Sequence, residues 1–143
     1  MILAGDVGGT KTLLGLFEAG GSRPAAVLTR SFVTTAFASL TEMIGAFTAE
    51  ERVRLAPIRG AAFGVAGPVL GTTAELTNVP FTIDAGEVAH RFGVPRVALL
   101  NDLEAMAYAV PVLEPAELHI VQPGAAVRGG NMALIAAGSA SAA

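Results

Sequence analysis

The sequence has no cysteine and no tryptophan, one tyrosine, two histidines and a single lysine, Lys11. Without cysteine there is no disulfide scaffold and no thiolate-bound zinc or iron–sulfur centre. His90 and His119 stand far apart in the chain, which argues against a histidine metal cluster. Charge is scarce as well: 15% of the 143 residues are Asp, Glu, Lys or Arg, against roughly 25% in an ordinary soluble domain. Nine basic and twelve acidic residues give a net charge of −3 with no basic run, so a nucleic-acid surface finds no support. Long hydrophobic runs are also missing. The longest uncharged stretches, Gly60–Ala74 and Gly129–Ala143, have 15 residues each and are broken by glycine, the first also by Pro68. A membrane-spanning helix needs about 20 predominantly apolar residues. The opening Met1-Ile2-Leu3-Ala4-Gly5-Asp6 lacks a basic leader and meets a carboxylate at once, unlike a signal peptide.

What remains is strongly apolar: 52% of the residues are hydrophobic and the mean hydropathy is +0.60. That fraction excludes disorder, and the length suits one domain with a real core. The expectation is a soluble, cytoplasmic domain spanning residues 1–143, with no membrane and no nucleic-acid partner, and with too few charges to cover its own surface. Part of that apolar excess is compositional, since alanine supplies 28 residues and arginine outnumbers lysine eight to one.

Ile2–Val7 is a short apolar run ending in Gly8-Gly9, as a buried strand does at a tight turn. Thr12–Phe17 and Ala25–Val33 follow as further strands, so the chain opens as an antiparallel meander. Ser39-Leu40-Thr41-Glu42 has the form of a capping box, with Leu40, Met43, Ile44 and Phe47 at helical spacing behind it. The helix is predicted from about Leu40 to Arg54. Gly60–Ala66 reads as a buried strand closed by Gly67-Pro68, with Val69–Leu76 as its hairpin partner. Asp84-Ala85-Gly86-Glu87 starts a second helix, which Gly93 ends in the left-handed conformation. Arg96–Leu100 is a strand, Leu103–Val110 a helix stopped near Pro111, and Leu118–Val121 and Met132–Ala137 are the last predicted strands. Helices alternating with strands after an initial meander indicate an α/β fold with a mixed sheet.

Gly5-Asp6-Val7-Gly8-Gly9-Thr10-Lys11-Thr12 is the segment richest in chemistry. It is neither a P-loop, which needs glycine directly before the lysine, nor a G-x-G-x-x-G dinucleotide turn. Its glycines still allow the backbone to fold tightly and aim N–H groups at an anion, and Thr10 and Thr12 add hydroxyls. Asp6 at the end of the first strand suits a hydrated Mg²⁺. A plain Gly-Gly hairpin with a solvated Asp6 fits the same residues. Leu100-Asn101-Asp102 also admits two readings. At the carboxyl end of a strand, where ligands collect in open α/β sheets, Asp102 suits a general base and Asn101 a ligand to hydroxyls. Both residue types equally favour a helix N-cap. Asn78, before Val79-Pro80, is a further candidate for substrate contact or an Asx turn. Gly64–Pro68 is a tight turn near a ligand or a structural one.

Taken together, these residues resemble a known family. Gly5–Thr12 is similar to the first phosphate motif of the actin-like sugar kinases. Thr77-Asn78-Val79-Pro80-Phe81-Thr82-Ile83-Asp84 and Leu100-Asn101-Asp102-Leu103-Glu104-Ala105-Met106-Ala107-Tyr108 resemble the bacterial glucokinases, in the family's order. The resemblance covers nearly the whole chain. It implies a ribonuclease H-like, actin-like ATPase domain, and transfer of the ATP γ-phosphoryl group to the 6-hydroxyl of glucose. On it, Asp102 is the base, and Asn101, Asp102 and Asn78 meet the sugar. Gly5, Asp6, Val7, Gly8, Gly9 and Thr10 bind the nucleotide, and Asp6 positions Mg²⁺ through water. ATP and Mg²⁺ are the implied cofactors, glucose the partner substrate, and a homodimer is allowed.

The sequence departs from the family's pattern at its end. Gly138 is present, but Ser139-Ala140-Ser141-Ala142-Ala143 stands where a second glycine-rich phosphate loop is expected. The resemblance therefore implies an N-terminal piece, inactive alone, with a C-terminal domain belonging against it. An exposed apolar surface beside Asp6 and Asp102 is the structural expectation. Three other readings share the fold: a kinase of another hexose or N-acyl hexosamine, a sugar-responsive transcriptional regulator, and a non-catalytic binding module. The regulator needs a helix-turn-helix ahead of Gly5, for which four residues leave no room.

Overall fold

A computed structural model describes residues 1–21, 23–49, 57–76, 79–80, 82–125, 127 and 129–136. Strand β1 (Ile2–Val7) lies between β2 (Lys11–Glu18) and β4 (Gly60–Val65). Outside β2 lies β3 (Ala25–Val33), and outside β4 lies β8 (Val97–Asn101), giving the order β3-β2-β1-β4-β8. The first three strands pair antiparallel, as the short glycine-containing turns predict. The β1/β4 and β4/β8 pairs are parallel, which requires the crossovers that the intervening segments supply. The sheet is therefore mixed, and β1, β4 and β8 end on the same edge.

Alternation along the strands decides the core. Leu3 and Val7 of β1, Leu14 and Leu16 of β2, and Phe63 and Val65 of β4 are fully buried. Helix α1 (Leu40–Thr48) covers them with Leu40, Met43, Ile44 and Phe47. Ser39 caps it as its sequence predicts, accepting from the Glu42 N–H at 3.1 Å. Glu42 reaches back one residue further than a capping box requires, accepting from the Ala38 N–H at 2.8 Å. Helix α2 (Ala85–Phe92) starts at Asp84, whose carboxylate accepts from the Gly86 and Glu87 amides. It ends at Gly93 with φ 63°, the left-handed cap for which glycine carries no Cβ penalty.

Three sequence expectations need correction. The helix predicted to Arg54 is described only to Thr48, with Ala49 as its cap; 50–54 lie outside the described residues. The segment after Pro68 does not pair with β4, because β1 and β8 already occupy both edges of that strand. Instead β5 (Val69–Leu70), β6 (Thr73–Glu75) and β7 (Thr82–Asp84) form a separate three-stranded antiparallel sheet. The strands predicted at 118–121 and 132–137 are absent among the described residues, and residue 137 lies outside them. Ile120, Val121 and Ile135 are instead exposed. An apolar run becomes a strand only where an edge and a covering layer receive it.

After helix α3 (Asp102–Ala109) the chain makes two short 3-10 turns, Val110–Val112 and Pro115–Glu117. Arg23, in the β2–β3 connection, pairs with Glu117 at 2.6 Å. The Glu114 N–H and then Arg23 hold the Glu117 carboxyl below the usual carboxylate range. What this contributes to stability is present above the ordinary glutamate value and fades as the pH falls through the lowered one. Solvent screens so exposed a pair strongly.

Candidate functional site

Asp6 and Asp102 line one cleft of about 410 Å³, with Gly5, Gly64, Ala105, Met106 and Ala109. The sheet brings them together. Asp6 is the penultimate residue of β1 and stands in register with Gly64 on β4. Asp102 follows Asn101, which ends β8 two strands away. Because β1, β4 and β8 run parallel, their carboxyl ends converge on this edge, the usual location of ligands in open α/β sheets.

Helix α3 owes its start to Asn101 rather than Asp102. Asn101 is the N-cap, its Oδ1 accepting from the Leu103 N–H at 3.0 Å, while its Nδ2 donates to the Gly67 carbonyl at 3.1 Å. One amide therefore starts the helix and ties it to the turn after β4. Asp102 is the first helical residue, and its Oδ1 accepts from the same Leu103 N–H at 2.8 Å. Its Oδ2 has no protein donor among the described residues. The capping role is thus met by the neighbour, and Asp102 keeps one oxygen at the cleft without a donor among the described residues.

Gly64 explains how α3 comes close enough. A Cβ there would stand 3.2 Å from Ala105 Cβ, so helix and strand meet almost backbone to backbone. Gly64→Ala is expected to cost less than about 1 kcal/mol, and Gly64→Val about 1–3 kcal/mol with α3 and Asp102 displaced. Denaturant midpoints of the two variants check this; equal midpoints would show that the close approach is not required.

The phosphate-turn candidate is the three-residue link Gly8-Gly9-Thr10 between β1 and β2. The Gly8 N–H donates to the Lys11 carbonyl at 3.1 Å and is consumed by the turn. Neither Gly8 nor Gly9 has a positive φ, so this is not the primed hairpin turn that a Gly-Gly pair favours. Glycine is favoured at position 8 by space instead, since a Cβ would lie 3.0 Å from the Lys11 carbonyl oxygen. The Gly9 and Thr10 N–H groups donate to no protein acceptor among the described residues, which leaves two adjacent amides for an anion.

The remaining sequence candidates separate. Gly5 turns its Cα toward the core, where a Cβ would lie 2.7 Å from Phe63 Cδ1; its backbone alone borders the cleft. Val7 is fully buried, with its carbonyl accepting from the Ala66 N–H at 3.0 Å. Asn78 lies outside the described residues, as do 77, 81 and the tail 138–143. Asp6 is exposed and its carboxylate accepts no hydrogen bond among the described residues. A carboxylate without a protein partner among the described residues would suit a cation held through water, rather than a caged metal. Among the described residues no group of three or more His, Cys, Asp or Glu is assembled for one.

An uncovered apolar surface lies beside both carboxylates. The face of β1 and β2 opposite the core carries Ala4, Leu13, Gly15 and Phe17, which line an open hollow with Asp6. Helix α3 has no buried residue and exposes Leu103, Met106 and Tyr108. Among the described residues no helix is long and apolar enough to cross a membrane.

The glucokinase family model matches residues 3–140. The glucokinase of Trichormus variabilis is 33% identical over 140 residues, covering 97% of this chain and 41% of that protein. The glucokinase of Synechocystis is 31% identical, covering 96% and 41%. Among solved structures, a glucokinase from an Antarctic psychrotroph superposes with a TM-score of 0.79 at 26% identity, covering 88% of this chain and 39% of the other. A Balamuthia mandrillaris glucokinase, solved in complex with glucose, shares the fold, with a TM-score of 0.62 at 21% identity. The chain thus spans about 41% of the length of its curated relatives.

Proposed function

This chain belongs to the glucokinase family, and from that membership we propose that it supplies the catalytic base and the first phosphate turn of an ATP-dependent glucose kinase. The observation that carries the proposal is the convergence of Asp6 and Asp102 on one cleft, with a turn two residues after Asp6 whose Gly9 and Thr10 amides have no acceptor among the described residues. Asp102 takes the proton of the glucose 6-hydroxyl on Oδ2, while Leu103 N–H holds Oδ1 and fixes the carboxylate plane. Asn101 retains one Nδ2 hydrogen and one Oδ1 lone pair beyond its two structural bonds, enough to orient a sugar hydroxyl. Asn78 is assigned to the same sugar. The Gly9 and Thr10 amides hold phosphate oxygens, with Gly5, Val7 and Gly8 shaping the turn beneath them. Asp6 would hold Mg²⁺ through water, an ion that neutralises charge on the phosphates. Catalysis by these residues is positioning together with proton acceptance.

The second half of the cleft belongs to a C-terminal domain, for which the uncovered face beside Leu13 and Met106 is the seat. Residues 1–143 form the N-terminal domain of that pair, a cytoplasmic enzyme able to act as a homodimer. Purified full-coding-sequence protein should convert glucose and Mg-ATP to glucose 6-phosphate, and residues 1–143 alone should show negligible turnover. A panel of other hexoses and N-acetylmannosamine checks the sugar: phosphorylation of one of these in place of glucose overturns the assignment.

A further inference from the structure

Two threonines outside the cleft are the only buried polar side chains on the described residues that stand behind the phosphate turn. Thr12 and Thr34 are both 0% exposed. Thr12 faces the core from β2, and Thr34 opens the 3-10 turn after β3. Their hydroxyl oxygens lie 2.9 Å apart, and Thr34 Oγ1 donates to the Gly8 carbonyl at 2.8 Å. A hydroxyl has one proton, and Thr34 spends it on Gly8, whose carbonyl can only accept. The direction of the relay is therefore fixed: Thr12 donates to Thr34, and Thr34 donates to Gly8. The Thr34 N–H adds a second brace, donating to the Thr10 carbonyl at 3.0 Å.

We infer that Thr34, backed by Thr12, is the positioning residue of the phosphate turn. The inference rests on the function proposed above and deepens it. A trans peptide sets its N–H opposite its C=O. Holding the Gly8 carbonyl inward on Thr34 therefore aims the Gly9 N–H away from the buried threonines and toward the solvent side. With the Gly8 N–H engaged by Lys11 and the Thr10 carbonyl engaged by Thr34, each end of the turn is pinned. The Gly9 and Thr10 amides have no acceptor among the described residues and remain to meet an anion. Phe32 and Phe37, which flank Thr34 in sequence, stack edge-on at 5.5 Å, and Phe32 also meets Phe47 of α1 at 6.5 Å, so the segment that carries Thr34 is held by packing independent of its hydroxyl. Amides preset in this way meet a phosphate without reorganisation, which is where such donors gain their strength.

The test uses the full coding sequence that contains residues 1–143. Thr34→Val keeps the shape and removes the hydroxyl, leaving the Gly8 carbonyl without its donor. It is expected to raise KM for ATP about 5–20-fold and to weaken binding of a non-hydrolysable ATP analogue, followed by calorimetry, by a similar factor. KM for glucose should stay within about twofold, and Thr34→Ser, which restores the hydroxyl, should bring the nucleotide values back. Thr12→Val removes only the distal hydroxyl and should give a smaller shift in the same direction; it stands in for Thr34→Val if that variant does not fold. A variant that lowers the melting temperature with unchanged nucleotide affinity overturns the inference, as do equal losses for ATP and glucose. If the wild-type protein binds the ATP analogue but does not phosphorylate glucose, the proposed reaction fails, while the effect of Thr34→Val on nucleotide binding still decides the positioning role.

Discussion

Asp102→Asn in the full coding sequence is expected to lower kcat about 10²–10⁴-fold while glucose affinity changes less than about threefold. The substitution is nearly isosteric, and Asn Oδ1 can still accept from the Leu103 N–H, as the aspartate does at 2.8 Å. The start of α3 does not depend on Asp102 either, because Asn101 caps it. The one change is at the free position, where Oδ2, able to take a proton, becomes an amide able only to donate. Turnover from ADP release, glucose binding by calorimetry and the melting temperature together decide the matter. Turnover within tenfold of wild type would remove Asp102 as the base. Joint loss of glucose binding and of melting temperature would return it to a structural role at the helix start.

Gly67→Ala is expected to destabilise the fold by about 3 kcal/mol. A Cβ at Gly67 would overlap the Glu75 carbonyl oxygen and stand 3.1 Å from the carbonyl carbon. Both are backbone atoms of β6, so no side chain can swing aside. The β5–β6 hairpin must move, straining the bond from the Glu75 N–H to the Pro68 carbonyl. The Gly67 carbonyl would leave Asn101 Nδ2, and the residue that starts α3 loses one of its two anchors. Gly20→Ala is the control, since nothing lies within 4 Å of a Cβ there and its midpoint should shift by less than about 0.5 kcal/mol. Denaturant unfolding of the two variants measures the difference; similar midpoints would show that the hairpin yields without cost.

Much of the fold was legible in the sequence where local chemistry decides. The meander over Ile2–Val33, the Ser39 and Asp84 caps, and the left-handed Gly93 all depend on residues within a few positions of each other. Reading failed where pairing partners decide. The run after Pro68 has strand character, and only the occupied edges of β4 send it into a second sheet. Residues 118–121 and 132–136 have strand character too and find no edge. The site divides in the same way. Asp6, Asn101 and Asp102 stand out by their places at strand ends, whereas Gly64 is marked only as part of a turn and Thr34 carries no local mark. An interior glycine and a buried threonine gain their roles only from what lies opposite them, Ala105 in one case and Gly8 in the other.

By itself, then, the sequence determined the absence of cysteine thiolates, the mixed α/β class, and the two segments proposed to carry the reacting groups. Those follow from composition and from contacts along the chain. The tertiary structure alone decided that Asp6 and Asp102 share one cleft, that Asn101 rather than Asp102 caps α3, and that both the amide and the carbonyl of Gly8 are engaged by Lys11 and Thr34. Each of these depends on hydrogen bonds or strand register between residues far apart in sequence, which no local pattern encodes.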